Sequence, residues 1–373
     1  MVNDLEEFLE SKGAEYAPFN PKRAPKLFQA LKLNPTCISI QILGTNGKGS
    51  TGRFLALMLR QKGFNVGHFT SPHLLNLTER FWHNGKECSK EVLNQAFLTL
   101  NQEILQEASY FEVLTFLAIK LFGDCDYMIL EAGLGGEYDS TTTCVKFDLS
   151  LFTAISLEHQ EFLGETLEEI AQTKLKAMAK KAILGFNPQS VIKIAQNIAK
   201  QKHCRLKILK TIPSKIWLYC RKHSYPSYQA ENLALAFEGL KTLGYDCDFK
   251  SLDALDLQGR MQKIAPNVWV DVAHNLGGAQ KIFHQFSQMQ LILVYNSFFD
   301  KNPKAILGLL KPLVKRVEIL NINHKRLIKK EELEQILKSL QIPYCDFKQI
   351  QEDEKYLVCG SFSVVAEFLK GFK

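Results

Sequence analysis

The sequence predicts an α/β protein made of two units, each with a largely parallel sheet. Three observations carry this. Short apolar runs alternate with helical patterns along the 373 residues; each run ends in polar or glycine-rich residues; and the alternation breaks once, over a basic stretch at 200–227, before it restarts. Alternating strands and helices place a parallel sheet between two helical layers. The length suits two domains of ordinary size. A composition 46% hydrophobic and 23% charged excludes disordered and collagen-like chains. No apolar run reaches the ~18–20 residues of a membrane span.

The elements follow in order. Ile38–Leu43 reads as a buried strand, followed by a glycine-rich turn and a helical stretch, Gly52–Arg60. Asn65–Phe69, Tyr127–Leu130 and Leu149–Ile155 are further strands. The basic stretch reads as less regular. A helix over Tyr228–Leu243 and a polar connection, DALDLQGR, lead into strands at Val268–Val272, Leu291–Tyr295, Arg316–Leu320 and Tyr356–Cys359. The boundary is placed near residue 257, giving domains 1–257 and 258–373. No repeat or low-complexity tract interrupts them.

Charge and cysteines bound the chemistry. The net charge of +7 fits polyanionic small molecules or a nucleic acid, without choosing between them. The lysines are dispersed more than striped, and no RNA-binding signature is present, so a nucleic-acid partner is not expected. Nine widely spaced cysteines without a C-x-x-C pair argue against a disulfide framework or structural zinc, and for a reducing cytosol. The N-terminus, MVNDLEEFLESKG, is acidic and amphipathic and lacks a basic segment before an apolar one, so no secretory signal and a cytoplasmic location are expected.

In parallel sheets ligands gather beyond the carboxyl ends of strands. There the chain places Gly44, Thr45, Asn46, Gly47, Lys48, Gly49 and Ser50, between a strand and a helix. Such a run lets backbone N–H groups converge on phosphate oxygens at a helix N-terminus. Lys48 would bridge the terminal phosphates and Ser50 would ligate Mg²⁺. The usual P-loop has no glycine between lysine and hydroxyl; this one does. Further on, the stripe Leu167, Ile170, Ala171 and Met178 is shared by Lys174. A partly buried lysine has a lowered pKa, and its neutral amine can react with CO₂; a lysine snorkelling from the stripe edge is the plainer alternative.

The loop Gly44–Ser50 resembles the ATP loop of Mur-type ATP-dependent amide ligases, specifically the folylpolyglutamate synthase and dihydrofolate synthase branch. Matching segments follow in the same order over about residues 40–365: Thr70–Leu74 with Glu79-Arg80, Tyr110–Glu112, Glu131–Gly136 with Asp139, His159 with Leu163-Gly164, Gly259-Arg260, Asp271–Asn275, and Gly360–Phe362. The resemblance implies a Mur-ligase-like P-loop nucleotide-binding domain with a second, smaller Rossmann-like α/β domain. It implies a ligase that phosphorylates a carboxylate with ATP and lets an amine attack the acyl phosphate, joining L-glutamate to dihydropteroate and adding glutamates to folate. An alternative within the class takes another acid acceptor; outside it, the chain would be a non-catalytic P-loop nucleotide-binding module.

Residue roles carried over by the resemblance are these. Positions matching Ser50 and Glu131 hold one Mg²⁺, and those matching Ser71, Glu131 and His159 hold a second. His159 is an unusual partner for a hard ion, and a hydrogen-bonded histidine at a strand end is the plainer alternative. The position matching Lys174 is carbamylated and helps hold Mg²⁺. Arg260, Asp271 and His274 fall on the ATP side and Asn232 on an adenine- or ribose-facing position, with ATP expected in a cleft between the domains. Without the family, Asp271 and His274 also read as an acid/base pair. Ser109, Phe111 and Asp139 match pterin-holding positions, although Phe111 taken singly reads as core. Members are commonly monomers. Glu137, Thr142, Glu158 and Lys176 depart from the usual arginine, asparagine, aspartate and glycine, and Phe19–Pro25 matches only loosely. These departures bear on acceptor choice more than on reaction class.

Overall fold

The computed structural model describes residues 4–13 and 20–372; Phe19 and residues 1–3 of the expectations above lie outside them. The chain divides into two compact units, Met1–His223 with Gln229–Leu255, and Ser224–Tyr228 with Asp256–Lys373.

The first unit holds an eight-stranded sheet of β1 (Ile38–Leu43), β2 (Val66–Phe69), β3 (Phe81–His83), β4 (Lys86–Glu87), β5 (Tyr127–Glu131), β6 (Leu149–Phe152), β7 (Lys181–Leu184) and β8 (Arg205–Ile208). Their spatial order is β4-β3-β2-β5-β1-β6-β7-β8. The strands from β2 to β8 in that order are parallel, and β3 and β4 add an antiparallel edge. Consecutive apolar residues in β1, β5 and β6 are buried because helices cover both faces. One face packs on helix Tyr110–Phe122, through Phe116, Leu117 and Phe122. The other packs on helices Leu167–Leu175 and Gln189–Gln201, through Ile170, Ala171, Val191 and Ala195. The strand read as running to Ile155 stops at Phe152, where the chain turns to support the glycine-rich loop.

The stretch 200–227, expected to be irregular, contains β8 and the helix Ser214–Lys222. β8 is an edge strand with alternating exposure, and its Arg205 and Lys207 point outward. Charged edges of this kind protect open strands from further pairing and hide the strand from a hydrophobicity reading.

The second unit holds β9 (Gln262–Ala265), β10 (Val268–Val270), β11 (Leu291–Tyr295), β12 (Val314–Ile319), β13 (Tyr344–Asp346) and β14 (Tyr356–Cys359), in the order β13-β12-β11-β14-β10-β9. All pairs are parallel except β9 with β10. Its core runs through Leu293, Tyr295, Leu307, Val317, Leu333 and Leu357. Among the described residues no helix is long and apolar enough to cross a membrane, and all nine cysteines are free thiols.

Candidate active site

The site residues of the first unit gather at the carboxyl ends of its parallel strands. Connections leave β1 toward β2 on one side and reach β6 on the other, so the crevice at the carboxyl end of β1 is the switch point of the sheet. Gly44 there has φ +128°, and an added Cβ would stand 2.1 Å from Thr153 Oγ1. The N–H groups of Thr45 (2.9 Å) and Asn46 (3.3 Å) donate to the Ala154 carbonyl and pin the loop to the end of β6. Gly47, at φ +94°, caps the helix Lys48–Gln61, and no side chain accepts from its first-turn amides. A helix start of this kind offers N–H groups and the positive end of the dipole to an anion.

Side chains brace the loop from behind. Gln229 Nε2 donates to Ser50 Oγ (3.2 Å), and Asn232 Nδ2 donates to Gln229 Oε1 (3.0 Å). A Cβ on Gly47 would stand 2.2 Å from Asn232 Oδ1, so Asn232 is packed against the loop itself. Lys48 Nζ donates to the Thr45 carbonyl (3.2 Å) and lies 3.7 Å from Glu131 Oε1.

Glu131 ends β5 and is buried. The register Phe69↔Leu130 sets Thr70 and Ser71, just past β2, beside it. Thr70 Oγ1 and the Ser71 N–H (3.1 Å) both donate to Glu131 Oε2. His159 is the left-handed N-cap of the short helix Gln160–Leu163, with Nε2 3.9 Å from Glu158. Lys174 is only 1% exposed, and its Nζ donates to the Leu134 carbonyl (2.7 Å) beside Gly135. Burial, then the nearby charge of Lys48, pushes its ammonium down to about 7. The snorkelling alternative therefore does not hold.

Among the described residues, no three His, Cys, Asp or Glu side chains form a metal cage. That donor set is the wrong kind for zinc and a fitting one for Mg²⁺, which binds through one or two carboxylates and otherwise keeps waters and substrate phosphates. Ser50 Oγ, Ser71 and Glu131 are hard oxygen donors at the carboxyl ends of the strands, beside the loop.

Next to them opens a pocket lined by Asn20, Arg23, Ser109, Phe111, Glu112, Leu134, Gly135, Tyr138, Asp139, Ser140, Phe162, Leu163 and Thr173. The pocket thus gathers Ser109, Phe111 and Asp139, though each is already engaged. Ser109 Oγ caps helix Tyr110–Phe122, accepting from the Glu112 N–H (3.4 Å), while Glu112 Oε2 accepts from the Ser109 N–H (2.7 Å) and Arg23 Nε (2.7 Å). Asp139 Oδ1 accepts from Thr141 and Oδ2 from the Gly135 N–H (3.0 Å). Phe111 is buried, 5.9 Å from the Phe69 ring, with one edge toward the pocket. Glu137 and Lys176, two of the unusual positions, form an ion pair at 3.0 Å.

The second unit assembles its own cluster. Asp271 accepts from Tyr228 Oη (2.9 Å), the Met261 N–H (2.8 Å) and the Ala273 N–H (2.8 Å). Burial raises its carboxyl above the ordinary value. Arg260 lies 4.9 Å over the Phe362 ring, which also borders His274 at 6.1 Å. His274 Nδ1 pairs with the Val272 carbonyl (2.9 Å). Asp271 fixes the turn that carries Arg260. Thr70, Gln229 and Arg23 were not singled out from sequence; only register and packing bring them to the site.

A parallel sheet with a capless, glycine-rich loop at its switch point, an adjoining carboxylate and a second parallel-sheet unit define a nucleotide-binding α/β protein of the P-loop kind. The Mur ligase middle domain matches residues 42–243. The chain is 30% identical over 370 residues to a dihydrofolate synthase/folylpolyglutamate synthase of Buchnera aphidicola, covering 88% of each. It superposes on a crystal structure of Helicobacter pylori folylpolyglutamate synthetase with a TM-score of 0.81 at 39% identity, covering 99% of this chain and 98% of that one. A bifunctional folylpolyglutamate synthase/dihydrofolate synthase with Mn, AMPPNP and L-glutamate bound gives a TM-score of 0.83 at 25% identity, covering 99% and 98%. The chain belongs to the Mur ligase family, in its dihydrofolate synthase/folylpolyglutamate synthase branch.

Proposed function

We propose that this chain is an ATP-dependent ligase that joins L-glutamate to dihydropteroate and extends reduced folates through the γ-carboxylate. The γ-phosphoryl group passes to a carboxylate oxygen and ADP leaves. The glutamate amine then attacks the acyl carbonyl, loses a proton and expels phosphate. Lys48 and the first-turn amides of its helix neutralise the transferring phosphoryl group. Divalent magnesium would be held by Ser50, Ser71 and Glu131 with His159 and would supply charge neutralisation between nucleotide and acids. Lys174, half neutral near pH 7, is suited to carbamylation: its amine attacks CO₂, a proton leaves, and the resulting carbamate would offer its oxygens to a cation. Ser109, Phe111 and Asp139 line the acceptor pocket, and Arg260, Asp271, His274 and Asn232 serve the nucleotide. Residues 1–257 are assigned the ATP-binding role and 258–373 that of the C-terminal domain. The protein acts as a cytoplasmic monomer on small molecules, without nucleic acid.

One observation carries this reading. Lys48 and Glu131 approach to 3.7 Å at the carboxyl ends of the strands, and the buried Lys174 reaches the Leu134 carbonyl at the wall of a pocket. The Glu137–Lys176 pair beside that pocket makes the identity of the acid the part most in need of a direct assay. ADP release is measured against dihydropteroate, tetrahydrofolate and Mur-type acceptors, each with and without L-glutamate. Release that needs both glutamate and a pteroate or folate is expected; release with another acid would reassign the acceptor, and none at all would leave a nucleotide-binding module. Lys48→Ala is expected to abolish release with an unchanged circular dichroism spectrum, and retained turnover would sink the assignment.

A further inference from the structure

Glu131 is the only carboxylate named for both candidate cation positions, yet its two oxygens have different surroundings. Oε2 accepts from the Thr70 hydroxyl and from the Ser71 N–H (3.1 Å), which fills the lone pairs on that side. Oε1 faces Lys48 Nζ at 3.7 Å, toward the phosphate loop. Thr70 and Glu131 are both buried, and the parallel register of β2 on β5 fixes their approach. A glutamate at the end of a strand otherwise turns freely about its side-chain torsions, so something must choose which oxygen is offered.

We infer that Thr70 is the positioning residue of the cation site: its hydroxyl holds Oε2 of Glu131 and so turns Oε1 toward a divalent ion beside Lys48. This rests on the metal-nucleotide reading above and adds to it. Partners that orient a ligand in this way typically set metal affinity by about 10–100-fold.

The test is Mn²⁺ binding to the full-length protein, followed by electron paramagnetic resonance with a non-hydrolysable ATP analogue present. Thr70→Val keeps the shape and removes the donor; it is expected to weaken Mn²⁺ binding by about 10-fold or more. The Mg²⁺ concentration for half-maximal ADP release should rise in parallel, with little change in melting temperature. Thr70→Ser keeps the hydroxyl and is expected to restore wild-type binding. Equal Mn²⁺ affinity in wild type and Thr70→Val would overturn the inference, as would failure of Thr70→Ser to restore it. If the valine variant does not fold, Thr70→Ala carries the same expectation. Absence of Mn²⁺–nucleotide binding in the wild type would instead defeat the metal reading itself.

Discussion

Lys174 occupies the apolar stripe of its helix, and its burial has a consequence for stability. Its ammonium titrates near 7 in the folded chain and near 10.5 when unfolded. Between those values the unfolded state binds more protons, so stability rises with pH across that window. Below about 7 both states are protonated and the whole cost of burying the charge is present. In CO₂-free buffer the wild type is therefore expected to gain stability from pH 7 to pH 9, at up to about 1.4 kcal/mol per pH unit. Lys174→Met should lack that gain. Urea denaturation at both pH values measures it, and a parallel pH response in the two proteins would contradict the burial argument. This residue was legible in the sequence because a cation on an apolar stripe breaks a pattern. Thr70 was not, because two adjacent hydroxyls, Thr70 and Ser71, look alike until strand register shows which one faces Glu131. Gln229 was hidden for the same reason: its contact with Ser50 spans 179 positions along the chain.

Elements that a helix covers on both sides were the readable ones. β1, β5, β11 and β14 are short apolar runs that stop at a glycine, an asparagine or a charged residue, and each was found within a residue of its true span. The edge strands β4, β8, β9 and β13 were missed, since an edge carries polar and charged residues that resemble a loop, and the short interior strands β3 and β7 were missed as well. The helix Tyr110–Phe122 illustrates how one residue can serve an element and a site together. Ser109 and Glu112 form a reciprocal cap, and both also line the pocket proposed for the acceptor. Ser109→Ala is expected to lose about 1 kcal/mol of stability, the usual cost of removing a serine cap. Ser109→Asn, also a good cap, should keep that stability. Both should raise the KM for the acceptor acid, because both remove the hydroxyl from the pocket wall. Thermal melts and steady-state kinetics on the two variants separate the roles; an unchanged KM in both would confine Ser109 to capping.

At the scale of the whole molecule, the chemistry is distributed over two units with separate cores. The first carries the phosphate loop, the candidate cation ligands and the pocket. The second carries Arg260, which has a ring of Phe362 beneath it and a turn held by Asp271 behind it. A guanidinium mounted in this way is pre-organised to meet an anion and costs little ordering when it does so. If the second unit stabilises charge that develops during phosphoryl transfer, its loss should affect turnover more than ground-state nucleotide binding. Arg260→Ala is therefore expected to lower kcat by at least about 100-fold, the scale for removing one preorganised charge-stabilising donor. Affinity for the non-hydrolysable ATP analogue, which rests on the loop of the first unit, should change only a few-fold. Lys48→Ala should lose both. Isothermal titration with the analogue and ADP-release kinetics on the same preparations distinguish the two patterns. Equal losses of binding and turnover in Arg260→Ala would make this arginine an ordinary contributor to nucleotide affinity, and the division of labour between the units would have to be drawn elsewhere.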